Sequence, residues 1–330
     1  MRVVKMKKFL LLSLLIFISI LSADSKKDVY TSGWWTGPLI AFKARTSPAR
    51  KITILPSVAY LSTQGIYNNS WKIEPSERFF IVSPSVYMSY GITDKLECGL
   101  NIPWLFNRHL KKNGNGLGDA SFQVAYQLLE DDYGGPVFDT LFFVREYFPS
   151  GRYSNLKPEL DGTDQTGFGL FYTTLGFNLQ KIFLLANARL LRLRINIAYD
   201  LPAVAHVQGL NAYGGGLGTK GKVWDGSTIY LTLSHEVQFT QNWVFACDYS
   251  YEHGGKAKFS GNPGKNFSHI YSTHLLANNG YPAWDSFNVS PAIEYNFSQG
   301  IGLIGGVWIS VAGRNNPAFI SPIIKFSATF

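Results

Sequence analysis

Sulfur and charge are what this 330-residue chain has least of. Two cysteines are too few for a disulfide scaffold or a four-cysteine zinc site. Charged residues make up only 16% of the chain, yet its mean hydropathy of 0.00 is too polar for a bundle of membrane helices. Beyond residue 23 no apolar run is long enough to cross a bilayer as a helix; the richest, Ile182 to Leu191, is broken by Asn187 and Arg189. What is abundant is aromatic: Phe 24, Tyr 18 and Trp 8, beside Gly 32. That content excludes disorder. It leaves a soluble β protein or a β-barrel in a membrane.

The first 23 residues point to the compartment. Arg2, Lys5, Lys7 and Lys8 precede an apolar stretch from Phe9 to Leu21, and Ala23 offers a small residue for cleavage. This is the pattern of a secretory signal peptide. No cysteine follows for a lipid anchor. Removing residues 1–23 takes four cations and no acids from a chain with Lys+Arg 30 and Asp+Glu 22, leaving +4. Most of the basicity thus belongs to the leader, and a nucleic-acid partner loses its support.

Period-2 alternation dominates the remainder. In the last segment Ile320, Pro322, Ile324, Phe326, Ala328 and Phe330 share one face, and Ser321, Ile323, Lys325, Ser327 and Thr329 the other. An apolar face backed by a polar one is what a lipid-facing barrel strand requires. Twelve such segments are expected, at 52–61, 80–91, 95–105, 117–129, 137–148, 166–178, 188–200, 227–239, 243–254, 286–298, 302–312 and 319–330. Each is near the ~9–11 residues of a tilted membrane strand, or slightly longer. The connections alternate: 62–79, 106–116, 149–165, 201–226, 255–285 and 313–319 on one side, mostly long, and short ones such as 92–94, 240–242 and 299–301 on the other. Short periplasmic turns and long extracellular loops sort in this way; a sandwich has no reason to do so. Tyr90, Phe239, Trp243 and Phe297 near one end and Trp104, Tyr147, Phe148 and Phe287 near the other suggest aromatic girdles. Prolines 56, 84, 291 and 322 would cost ladder bonds or mark bulges. The expected fold is an all-β, antiparallel transmembrane β-barrel over 52–330, with residues 24–51 as a periplasmic or plug segment.

The same register turns Arg192, Arg194, Glu236, Asp248, Glu252, Glu294 and Lys325 inward. They form either a charged constriction that selects solutes or a set of pairs that fill a narrow barrel. Phe326 and Phe330 are expected to act as the C-terminal signal read by the barrel assembly machinery. Cys98 and Cys247 fall on apolar faces, as lone thiols. Gly216 to Lys222 fits G-x-x-x-x-G-K, but Val223 replaces the Ser or Thr of a phosphate loop and no helix follows, so it reads as a flexible outer loop. A lipid-acting barrel enzyme would place a serine two residues after its histidine. Here those positions hold Lys111, Gln208, Val237, Gly255, Tyr271 and Leu276. His253, His269 and His274, with Lys256, Lys258 and Lys265, match no metal-ligand spacing and suit contact with lipopolysaccharide phosphates. No cofactor or metal is expected.

Two stretches carry a family likeness. Gly116-Leu-Gly-Asp-Ala-Ser-Phe-Gln-Val-Ala-Tyr126 resembles the Gly-rich strand start of the phenol-degradation (MetA pathway) outer-membrane proteins, and Phe148-Pro-Ser-Gly-Arg-Tyr153 their Pro-Thr-Gly turn, with Ser in place of Thr. Trp35-Thr-Gly-Pro-Leu-Ile is similar to envelope proteins of gammaproteobacteria that live inside host cells. The resemblance implies an outer-membrane barrel of Gram-negative bacteria that passes small hydrophobic or aromatic solutes. The competing readings are a closed barrel acting as a surface or adhesion protein through its outer loops, and, more weakly, the lipid-acting enzyme.

Overall fold

The computed structural model describes residues 30–185, 189–265 and 279–330; the proposed leader lies outside them. Its strands are β1 (Ile52–Tyr67), β2 (Ile73–Glu74), β3 (Phe79–Gly91), β4 (Leu96–His109), β5 (Lys112–Leu117), β6 (Ser121–Leu129), β7 (Asp139–Tyr147), β8 (Tyr172–Leu184), β9 (Leu190–Pro202), β10 (Val204–Gln208), β11 (Lys220–Trp224), β12 (Thr228–Gln238), β13 (Trp243–Gly254), β14 (Lys258–Asn262), β15 (Trp284–Ser298), β16 (Ile301–Arg314) and β17 (Asn316–Thr329). Setting aside the short β2 and β5 and the separate sheet β10-β11-β14, twelve antiparallel strands run in order, and β17 pairs with β1 to close the barrel. Closure leaves no strand edge unpaired, as the interior of a bilayer demands.

The alternation decides which side is which. Ile197, Tyr199, Ile229, Leu231, Val124, Phe177 and Ile293 stand exposed on the outside, while Asn196, Thr232, Ser234, Gln123, Asn178 and Ser290 are buried within. The protein is apolar without and polar within, the reverse of a soluble domain, so its outer belt needs a lipid partner. No helix of the described residues is long and apolar enough to cross a membrane.

Most strand expectations hold within a few residues, and four do not. The first strand runs on to Tyr67 rather than ending at 61, because 62–67 keeps pairing with β17 and β2 folds back on its end. The sixth strand is β8 at 172–184 rather than 166–178, so the turn expected over 179–187 is shorter. The fourth begins at Ser121 instead of 117, because Lys112–Leu117 folds back along β4 as β5. The loop expected at 313–319 is strand: above Ile309 and Ile320, β16 and β17 part, and each keeps pairing with its other neighbour. The Trp308 and Phe319 rings, 4.6 Å apart, fill that fork. The four prolines neither end nor bulge their strands. At Pro56, Pro84, Pro291 and Pro322 one ladder skips the proline and one neighbour, while the strand runs through.

Beyond the outer ends of β8 and β9, the sheet β10-β11-β14 covers its own small core of Leu170, Ala205, Val207, Tyr213, Val223 and Ala257. The glycine-rich loop before β11 belongs to this cap, with strands and no helix around Lys220–Trp224.

Candidate functional site

The site is the barrel interior, and its most telling occupant is not a strand. Residues 30–51 enter from the short-turn end, rise to mid-barrel, and return to the same end to start β1. The path is fixed by side chains far away in sequence. Tyr30 packs on Ile182 and Leu190 near that end. The N–H groups of Thr36 and Gly37 donate to Glu294 Oε2 (2.8 and 3.3 Å). Ile40 N–H donates to Asp248 Oδ2 (2.8 Å), and Phe42 N–H to Asn196 Oδ1 (2.8 Å). On the way back Lys43 pairs with Glu97 (2.7 Å), Arg45 with Asp139 (2.8 Å), and Ser47 N–H donates to Glu97 (2.7 Å). A segment without regular structure carries unpaired backbone groups into a buried place, and wall side chains supply their partners. Gly91 permits the exit: Arg50 N–H reaches its carbonyl (2.7 Å), and a Cβ there would strike the Pro48 carbonyl.

Of the inward charges proposed from sequence, Arg192 and Glu236 are cross-strand neighbours joined by two hydrogen bonds, one of 2.6 Å. Arg194 donates to Gln180 (2.7 Å) and lies 3.8 Å from Glu236. The Trp35 ring sits on the Arg192 guanidinium, 4.4 Å from ring centre to Cζ. Glu294 and Asp248 hold the lumen segment, as above, and the Lys325 ammonium donates to the Leu39 carbonyl. Leu39 itself is buried among Ala246, Ala292, Ile304 and Ile323. Glu252 stands apart, toward the outer end of β13, in register with Tyr230 and Ser286. Six of the seven therefore gather around residues 35–40, and the seventh does not.

Sequence reasoning missed Glu97, Asp139, Asn178 and Arg145. All four face inward, but β4, β7 and β8 alternate less cleanly than the later strands, and no local feature marks a lone inward polar group. Tyr147, proposed for a girdle, instead faces inward: it stacks on Tyr172 (4.1 Å) and its oxygen accepts from Arg145 (3.1 Å). Tyr90, Trp104, Phe148, Phe239, Trp243 and Phe297 are exposed on the outside, while Phe287 packs on Tyr251. Phe326 and Phe330 lie on the lipid side of the last strand and just past its end.

Two motifs set apart in sequence meet at the outer rim. Asp119 accepts from Gly151 N–H and Phe168 N–H (both 2.9 Å), and Ser150 Oγ accepts from Ala120 N–H (2.9 Å) while donating to the Gly118 carbonyl (2.7 Å). The Gly-Asp and Pro-Ser-Gly stretches are thus halves of one clasp. Burial lifts the Asp119 carboxyl above its ordinary range despite the two N–H groups. His253 bonds to Asp285 (2.8 Å), which also takes Tyr251 and Arg314. His269 and His274 fall outside the described residues. His235 lies on the outer face against Phe245 and Tyr249. Cys98 and Cys247 are free thiols. Among the described residues no three His, Cys, Asp or Glu side chains meet as a metal site.

No protein-family model and no curated protein matches the chain. Its fold is similar to that of an outer membrane channel from Pseudomonas putida F1, at 12% identity and a TM-score of 0.64, over 88% of this chain and all of that one. The NanC porin aligns over 83% of this chain and 98% of its own, at 12% identity and a TM-score of 0.45. The Ralstonia pickettii toluene transporter TbuX aligns over 86% and 90%, at 12% identity and a TM-score of 0.34. By fold the protein is an outer-membrane β-barrel, and its apolar belt and polar lumen place it in the bacterial outer membrane.

Proposed function

We propose that the protein is an outer-membrane channel for small solutes, hydrophobic or aromatic ones included, whose periplasmic half is filled at rest by residues 30–51. One observation carries this reading. A barrel serving only as a scaffold can fill its lumen with its own wall side chains. Here Glu294, Asp248, Asn196 and Glu97 each accept backbone N–H groups from a segment that is no part of the wall, and a cavity of about 300 Å³ remains beside it. Polar acceptors lining a removable filling are what a permeation path needs. The likeness in fold to a channel, and the resemblance of the clasp motifs to the phenol-degradation family, support the same reading.

The test is conductance of the purified protein in a planar bilayer. The intact chain should give small steps, and deletion of residues 30–47 large ones. Arg192→Gln and Asp248→Asn should each alter the step size. Silence from both intact and deleted proteins, with folding shown by heat-modifiable gel mobility, would defeat the channel. The second reading would then stand: a closed barrel working through its outer surface, for which the folded cap β10-β11-β14 speaks.

Phe326 and Phe330 are read as the assembly signal, and Phe330→Ser should lower the amount of protein reaching the outer membrane. Lys256, Lys258 and Lys265, exposed in and beside the cap, are read as contacts for lipopolysaccharide phosphates.

A further inference from the structure

The cavity beside the lumen segment has an unusual balance of charge. Arg145, Arg194, Lys43 and Lys325 line it, and no carboxylate does. Two of the four are offset nearby: Lys43 by Glu97, and Arg194 in part by Glu236. Arg145 is not. It is buried, its bonded partners are neutral, and it makes no ion pair among the described residues. Its Nε and Nη2 donate to Gln123 Oε1 (3.0 and 2.6 Å) and its Nη1 to Tyr147 (3.1 Å). A guanidinium has five N–H donors. Three are thus engaged, leaving one on each terminal nitrogen, the pair that a carboxylate takes with both oxygens. Asp200, a carboxylate whose field reaches Arg145, is itself held by Thr174 (2.5 Å) and Tyr230 (2.9 Å).

The surroundings add a second requirement. Phe42, the residue of the lumen segment nearest Arg145, stacks on the guanidinium at 4.3 Å yet keeps 48% of its surface exposed. Tyr87 and Tyr147 complete an aromatic wall around the same space. The volume, about 300 Å³, lies at the small end of the range for small-molecule sites.

We propose that this cavity is a binding site for a small aromatic carboxylate, held by Arg145 with its ring against Phe42 and Tyr87. This deepens the channel reading by naming the class of solute, but binding itself can be measured without conduction. Because Phe42 belongs to the lumen segment, a ligand seated on Arg145 touches the filling as well as the wall.

The experiment is titration calorimetry on the full protein in detergent, with sodium benzoate, benzyl alcohol and sodium acetate as probes. Benzoate should bind, and the other two, lacking the charge or the ring, should bind about tenfold or more weakly. Arg145→Gln should abolish the preference for benzoate over benzyl alcohol. Equal affinity for benzoate and benzyl alcohol in the wild-type protein would overturn the proposal, and that comparison needs no variant to fold. So would unchanged benzoate binding by a folded Arg145→Gln protein, or none by the wild type. Parallel bilayer recordings separate the two readings. Binding without conductance would uphold this site and defeat the channel; conductance without binding would do the reverse.

Discussion

Asp119 spends one carboxylate on two backbone N–H groups, Gly151 and Phe168, that lie 32 and 49 residues away. Asp119→Ala should therefore loosen the outer rim by about 2 kcal/mol, the range for hydrogen bonds to a charged acceptor. Faster proteolysis between 149 and 169, with barrel mobility on gels unchanged, would be the sign. A different arithmetic applies to Arg192 and Glu236, which are buried in the wall and joined face to face. Glu236→Gln should cost about 3 kcal/mol, because Arg192 loses its bonded carboxylate and stays buried; Arg192→Gln should cost less, because Arg194 remains 3.8 Å from Glu236. The double variant should cost less than the sum of the two, and urea unfolding of all four proteins in lipid vesicles measures it. At this scale the inward face is legible in the sequence where alternation is clean, as around Glu236 and Asp248. It is hidden on β7, where Phe142 and Phe143 are adjacent and mask the inward row that ends in Arg145 and Tyr147.

Elements were legible by the same rhythm, and the misplacement of β8 shows what can counterfeit it. Phe168 and Leu170, two apart between glycines, imitate one strand face, yet Leu170 is buried in the cap core while Phe168 is exposed, a packing unrelated to the barrel. The true strand instead runs on to Leu184, through Lys181, whose ammonium is tied to Asp131 and Asp132 (2.5 and 2.8 Å). The cap behaves as a unit with its own core. Tyr213 is fully enclosed there, stacks on Tyr281 and donates to the Phe168 carbonyl (2.9 Å). Tyr213→Ala should destabilise the cap by about 3–5 kcal/mol and leave the barrel folded. Limited proteolysis of the cap beside intact heat-modifiable mobility would check both halves. The cap should also respond to acid. Burial raises the Asp225 carboxyl above its ordinary value, only partly offset by the Tyr281 hydroxyl and the Gly226 N–H. The folded cap thus holds that proton more tightly than the unfolded chain does. Its contribution is full below the ordinary carboxylate range and lost as pH rises through the raised value. Hydrogen exchange at the Val223 amide should be slower below the ordinary carboxylate range than at pH 7 after correction for intrinsic rates, and Asp225→Asn should remove most of the difference.

For the whole molecule the governing fact is inversion: the largest apolar area faces outward. Ile197, near the middle of β9 and 48% exposed, should tolerate arginine badly, at about 2–4 kcal/mol for Ile197→Arg near the bilayer midplane. Refolding into vesicles, followed by gel mobility, gives the number. Sequence leaves 24–51 as either a periplasmic or a plug segment, and what no pattern could reveal was the course of that filling. Residues 30–51 have no period, because their partners are scattered over most of the chain and no neighbour in sequence dictates their course.

That scatter has a consequence for how the molecule comes into being. The segment is held by β4, β7, β9, β13, β15 and β17, strands drawn from all around the wall. A half-built wall offers only some of these partners, and Lys325, which takes the Leu39 carbonyl, lies on the strand that closes the seam against β1. A segment that precedes every strand in the chain is therefore among the last to find its place. A seated segment is the mark that the circle has been completed.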